Sequence, residues 1–236
     1  MKQFTLPMTK RERRAGWIYL PVHVFVMPLL IMPIIQVALH LSGVEISVVY
    51  LNAFYYGFGL LYILFFMMNY MRENFVRKWN PGCGRTILIS MGLYLLFNII
   101  INLVLSNFTD NLINPNQEAV NESVSLNTPA MFAVAVLMGP IVEEVLFRGI
   151  VFGTIREKRP VAAYVVSALV FAFYHLWQSA VIAGDWSVFI YAVQYLPIGV
   201  VLAWTYERTG SIWGSISLHM LINTLAVAAS ATGIAE

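Results

Sequence analysis

Residues 86–106 read TILISMGLYLLFNIIINLVLS, 21 positions without one charged side chain. At about 1.5 Å per residue, a helix of that length crosses the ~30 Å hydrocarbon core of a bilayer. In water the same helix would have no polar face to present. Working outward, six more apolar runs follow the same reading: 16–41, 46–70, 129–147, 161–182, 186–205 and 212–229. Pro28 and Pro33 fall inside the first of these and Pro140 inside the run 129–147. Proline is tolerated in a membrane helix when neighbours satisfy the carbonyls it frees. Across all 236 residues, 59% are hydrophobic and 11% charged, with a mean hydropathy of +0.73. Soluble domains carry about 25% charged residues. The expectation is an all-α integral membrane protein of about seven transmembrane helices, a single polytopic domain over residues 1–236.

The charges test the count of spans. Lys2, Lys10, Arg11, Arg13 and Arg14 precede the first run, and Arg72, Arg77, Lys78 and Arg85 lie between the second and third. Arg148, Arg156, Lys158 and Arg159 follow the fourth run, and Arg208 follows the sixth. The intervening loops and the C-terminus hold Glu45, Asp110, Glu118, Glu122, Asp185 and Glu236, with no basic residue. Basic loops stay cytoplasmic, so the N-terminus is expected inside and the C-terminus outside. The first apolar run is far longer than the ~7–15 residues of a signal peptide core and lacks a small-residue cleavage site, so it reads as an uncleaved helix. A net charge of +2 gives no footprint for a nucleic-acid partner. The single cysteine, Cys83, excludes an intramolecular disulfide and any cysteine-only metal site. The segment 107–128 reads as the longest polar loop.

Ionisable groups at membrane depth are costly and mark function by default. Three places carry them: Glu143-Glu144 with Arg148 in the fourth run, His175 in the fifth, and His219 with Asn223 in the seventh. Adjacent helical residues point about 100° apart, so the two glutamates cannot serve one site equally. Glu144 and Arg148 stand i,i+4 with the acid N-terminal, the favoured order for an ion pair. That leaves Glu143 as the unpaired carboxylate, the candidate general base. His219 and Asn223 are also i,i+4 and offer two side-chain donors to one point. His175 lies roughly 22 Å and His219 roughly 14 Å from the cytoplasmic ends of their helices at 1.5 Å per residue. Glu143 comes level with both only if the fourth helix runs beyond Arg148 towards Arg156. Tyr174 reads as packing; Gln178 and Gln194 could reach a polar cavity.

Glu-Glu-x-x-x-Arg, Phe-x-x-x-His and His-x-x-x-Asn, in that order on successive apolar helices, resemble the CPBP family (CAAX proteases and bacteriocin-processing proteins, also called Abi). The resemblance covers about residues 129–225, with Tyr206–Trp213 similar to the family's approach to its last motif, and leaves the helices at about 16–106 unassigned. It implies a metal-independent intramembrane glutamate protease. Glu143 then activates water, His175 shares that water, and His219 and Asn223 stabilise the oxyanion. Glu144 and Arg148 form a structural ion pair, no cofactor is needed, and the substrate is a membrane-associated peptide or protein. The implied location is a cell membrane, that of a bacterium given the short chain.

Other chemistries compete. Two histidines and a glutamate are also a hydrolytic zinc set, so zinc-dependent proteolysis by the same residues is the alternative, although no His-Glu-x-x-His helix exists. A serine nucleophile at Ser215, four residues before His219, lacks the expected glycine-serine pattern. Neither Asp110 nor Asp185 lies in an apolar run, which argues against an aspartyl protease. A non-catalytic bacteriocin-immunity or membrane-binding protein, or a proton-coupled transporter, would use the same polar cluster without cleavage.

Overall fold

The computed structural model describes residues 8–76, 82–109 and 112–233. Lys2, Arg77, Lys78, Asp110 and Glu236 of the charge pattern lie outside the described residues. The described residues form nine helices and no strand. They are α1 Lys10–Leu41, α2 Val48–Phe66, α3 Met68–Val76, α4 Cys83–Leu105, α5 Pro115–Leu126, α6 Thr128–Arg156, α7 Pro160–Ala183, α8 Trp186–Thr209 and α9 Ile212–Ala231. All but α3 and α5 are long and apolar enough to cross a membrane, which makes seven spans. Aliphatic side chains such as Ile18, Leu61, Leu88, Val161 and Ile182 point outward from them, as lipid-facing positions must.

Side-chain ties fix which helix ends lie together. At one end Arg13 pairs with Glu157 at 3.0 Å and Arg156 pairs with Glu207, joining the start of α1 to the ends of α6 and α8. The Glu12 carboxylate, which caps the first turn of α1, also accepts the Tyr70 backbone N–H at 2.7 Å. Asn74 accepts the Ile212 backbone N–H at 3.2 Å, bringing the start of α9 to the same end. At the other end, Asn114 just before α5 donates to Gln194 at 2.8 Å, and Gln117 reaches Ser230 near the end of α9. Described basic side chains other than the buried Arg148 therefore collect at the first end. Glu45, Glu118, Glu122 and Asp185 sit at the second.

Three expectations change. The fourth span does not stop near residue 147; α6 continues through Gly149 and Val151 to Arg156. The segment 107–128 is not simply a loop, because it contains α5, whose first turn is capped by the Asn114 side chain on the Gln117 N–H at 2.9 Å. The second run also divides after Phe66, its tail forming α3.

The central helix is α6: 61% of its most apolar stretch is buried, against 6% for α4 at the periphery. Two parts of it, Ala133–Met138 and Val145–Phe152, are wound as wide π-turns, in which each N–H reaches back five residues. The Gly139 N–H accordingly bonds the Val134 carbonyl. In that register the Ala135 carbonyl would require an N–H from residue 140, and Pro140 has none. Asn223 of α9 supplies the missing donor, its Nδ2 standing 2.7 Å from the Ala135 oxygen. The proline and the wide turn thus leave a gap that a side chain from another helix closes.

Candidate active site

A cavity of about 910 Å³ enters the bundle between α2, α6, α7, α8 and α9, and Glu143, His175, His219 and Asn223 all line it. The extension of α6 carries Glu143 to the depth of both histidines. Glu143 Oε2 stands 3.8 Å from His175 Nε2 and 3.8 Å from His219 Nε2. These gaps are too long for direct hydrogen bonds, and a single water could touch all three groups.

Each imidazole is fixed through its other nitrogen. His175 Nδ1 lies 2.8 Å from the Phe171 carbonyl, which can only accept, so Nδ1 carries the proton and Nε2 presents a lone pair to the cavity. The ring stacks on Tyr195 at 4.6 Å between centroids. His219 Nδ1 lies 2.9 Å from Glu144 Oε1 and is likewise the donor towards a carboxylate. His219 Nε2 therefore donates into the cavity only when the ring is an imidazolium.

Glu144 sits at the centre of a saturated cluster. Its Oε1 accepts from Arg148 Nη1 at 2.8 Å and its Oε2 from the Ser215 hydroxyl at 2.5 Å. Arg148 is fully buried, reaches the Gly199 carbonyl at 3.4 Å through Nη2, and covers the Phe171 ring at 4.1 Å. A paired guanidinium and carboxylate tolerate burial where a lone charge would not. Ser215, weighed above as a nucleophile, spends its proton on Glu144 rather than on His219.

Tyrosines missed in the sequence complete the site. Tyr56 donates to Glu143 Oε1 at 2.8 Å, leaving Oε2 for the histidines. The Tyr174 hydroxyl lies 3.1 Å from Tyr56, 3.2 Å from Tyr55 and 3.2 Å from His23 Nε2. Tyr55 already donates to the His23 carbonyl at 2.9 Å, and the Tyr56 proton is on Glu143. Neither proton is left for Tyr174. The assignment with the fewest opposed lone pairs runs from His23 Nε2–H to Tyr174, to Tyr56, to Glu143. Tyr174, read as packing, is thus the middle link of a chain that joins α1, α2, α7 and α6. Gln178 and Gln194 both line the cavity. Among the described residues, no group of three or more His, Cys, Asp or Glu is arranged to hold a metal ion. The 3.8 Å separations also exceed the roughly 3.3 Å between donor atoms about a tetrahedral zinc.

The sequence profile described as "Type II CAAX prenyl endopeptidase Rce1-like" matches residues 125–225, the stretch that contributes all six of the polar residues singled out in the apolar runs. Over that stretch the chain is similar to the CPBP family. Among CPBP-like relatives, a Bacillus subtilis protein named as a membrane peptidase, YdiL, is 31% identical over 113 residues, 48% of this chain and 41% of its own length. The UPF0177 protein YxdF of Lactococcus lactis is 30% identical over 84 residues, 36% of this chain and 41% of its own. The membrane-embedded CAAX protease MroQ of Staphylococcus aureus is 27% identical over 148 residues, 59% of this chain and 55% of its own. The chain thus spans about half the length of the curated relatives it matches. No solved structure matches it. The chain of tyrosines begins outside the CPBP-matched stretch, with His23, Tyr55 and Tyr56 on the two N-terminal spans.

Proposed function

We propose that the protein is an intramembrane glutamate peptidase that hydrolyses a peptide bond in a membrane-associated peptide or protein without a metal. The observation that carries this reading is Glu143 Oε2 held 3.8 Å from the Nε2 atoms of both His175 and His219, on the wall of a membrane-depth cavity. Water placed between Glu143 and His175 gives one proton to the carboxylate while its second bonds the His175 lone pair. The resulting hydroxide attacks the scissile carbonyl carbon. The developing oxyanion is met by His219 Nε2–H and by the second Nδ2–H of Asn223, the first being bound to Ala135. Collapse of the tetrahedral intermediate breaks the C–N bond, and protonated Glu143 returns its proton to the leaving amine.

Charge balance supports a protonated His219 in this scheme. With Glu143 ionised, Glu143, Glu144 and Arg148 together carry one net negative charge in a buried cluster. An imidazolium between the two carboxylates cancels it and supplies the donor the oxyanion needs. Glu144, Arg148 and Ser215 then serve to orient His219, and Tyr56 serves to orient Glu143.

The test compares membrane and secreted peptides by mass spectrometry in cells with wild-type protein and with Glu143→Gln, at matched expression. Peptides that depend on wild-type protein and vanish with Glu143→Gln support the peptidase; an unchanged peptide profile favours a binding or immunity role. Zinc analysis of the purified protein decides the metal question, since stoichiometric zinc lost together with activity would overturn the metal-free mechanism. Because the named relatives are bacterial, a bacterial plasma membrane is the setting we assign.

A further inference from the structure

The cavity wall leading away from Glu143 is built from amides. Nine Asn and Gln side chains line the cavity, among them Asn52, Asn98, Asn102 and Gln178, with two carboxylates, Glu122 and Glu143, and no Lys or Arg. Part of this wall is braced by amide-to-amide bonds: Asn114 donates to Gln194 at 2.8 Å, and Gln194 donates to Asn102 at 3.0 Å. Polar side chains within a membrane span face a water-filled or ligand-filled space rather than lipid. A carboxamide offers both a donor and an acceptor, the same pair that each residue of an extended polypeptide backbone presents. An acidic side chain would meet Glu122 with no Lys or Arg on the wall to offset it, whereas a basic one would be attracted.

The mouth of the cavity also has a direction. Asn114, Asn116, Gln117 and the exposed Glu122 of its lining belong to the end of the bundle that holds Glu118 and Asp185, and no residue of the basic end lines it. Arg13, Arg156, Lys158, Arg159 and Arg208 lie at the opposite end, tied together there by the Arg13–Glu157 and Arg156–Glu207 pairs. Basic ends of membrane helices face the cytoplasm.

We propose that the cavity admits an extended, neutral-to-basic polypeptide segment from the extracytoplasmic side, its backbone held by the amide-lined wall as it reaches Glu143. The substrate would be the outer part of a membrane peptide or an exported chain, not a cytoplasmic tail. This rests on the peptidase reading for what happens at Glu143, but its test does not need cleavage.

Single cysteines are introduced at Gln178 or Asn98, neither in the catalytic machinery, with Cys83→Ser and Glu143→Gln in the same chain. A control cysteine replaces Lys158 at the basic end. Intact cells are treated with a membrane-impermeant sulfonated maleimide, alone or with one of two synthetic peptides of equal length, one alternating Gly and Lys and the other Gly and Glu. The expected result is labelling of Gln178→Cys and Asn98→Cys in intact cells, with Lys158→Cys labelled only after permeabilisation. The Lys peptide is expected to slow cavity labelling several-fold and the Glu peptide to leave it unchanged. Labelling of the cavity cysteines only after permeabilisation, or not at all, overturns the assigned mouth; equal protection by both peptides, or by neither, overturns the assigned substrate class. These outcomes are independent of whether Glu143→Gln alters the cellular peptide profile, so the two readings can fail separately.

Discussion

Tyr56 and Tyr174 act on Glu143 in series, and that order has a measurable signature. Tyr56→Phe removes the hydroxyl that holds Oε1 and frees the carboxylate to rotate away from the histidines, so kcat should fall by about tenfold or more with KM little changed. Tyr174→Phe should cost less alone, and nothing further in a Tyr56→Phe background, because its effect passes through Tyr56. Additive losses in the double variant would instead mean two independent packing defects. The substrate is the peptide identified by the wild-type and Glu143→Gln comparison. Arg148 behaves differently. Arg148→Met leaves Glu144 as a buried charge facing only Ser215 and His219, which should destabilise the protein by about 3–5 kcal/mol. A large fall in the melting temperature of detergent-solubilised protein would register it, whereas Tyr56→Phe should leave that temperature nearly unchanged.

At the scale of the helix, the wide turns of α6 set the geometry and depend on help from outside. Asn223→Ala strips the Ala135 carbonyl, at the cavity wall, of its side-chain donor, a cost of about 1 kcal/mol, and removes a cavity N–H as well. Asn223→Asp, which carries no Nδ2–H, should fail in the same two ways, so thermal stability and turnover should fall together in both variants. The crossing of α7 and α8 is close at Gly199, where an added Cβ would lie 2.8 Å from the Cα of Ala168. Gly199→Val should therefore wedge the two helices apart and move the carbonyl that Arg148 Nη2 reaches. A melting temperature within 1–2 °C of wild type for that variant would contradict the close packing. The sequence made part of this legible. Charged groups in apolar runs stand out, which exposed Glu143, Glu144, Arg148, His175 and His219 with their spacings. Tyr56, Tyr174 and His23 were hidden because aromatic residues in a membrane helix usually serve packing or interface anchoring, and their meeting depends on helices distant in the chain. The helix α5 was overlooked because it has no apolar run, although Asn114-Pro115 followed by Gln117 is a recognisable helix start. The π-turns left a weaker trace, Pro140 alone.

For the molecule as a whole, the seven spans were readable from length and composition, since few charges interrupt the apolar runs and the basic residues alternate with them. The alternation assigns an orientation that can be measured directly. Alkaline phosphatase fused after residue 236 should be active, and a fluorescent protein fused there by the same secretion route should stay dark; the opposite pattern would reverse the bundle and the assigned face of the cavity. The arrangement around α6 was not readable, because burial inside a bundle and exposure to lipid call for the same kinds of side chain. Only contacts reveal that α4, whose sequence announces a span so clearly, stays at the edge while α6 is enclosed.

The π-wound stretch Val145–Phe152 makes chain length itself a determinant of activity. Removing one residue there would let the helix tighten to ordinary α winding and swing everything downstream by about 100°. Arg156 would be carried off Glu207 although Glu143, upstream, kept its place. A single-codon deletion downstream of the carboxylate would thus silence the proposed peptidase while every side chain assigned a chemical role was still encoded.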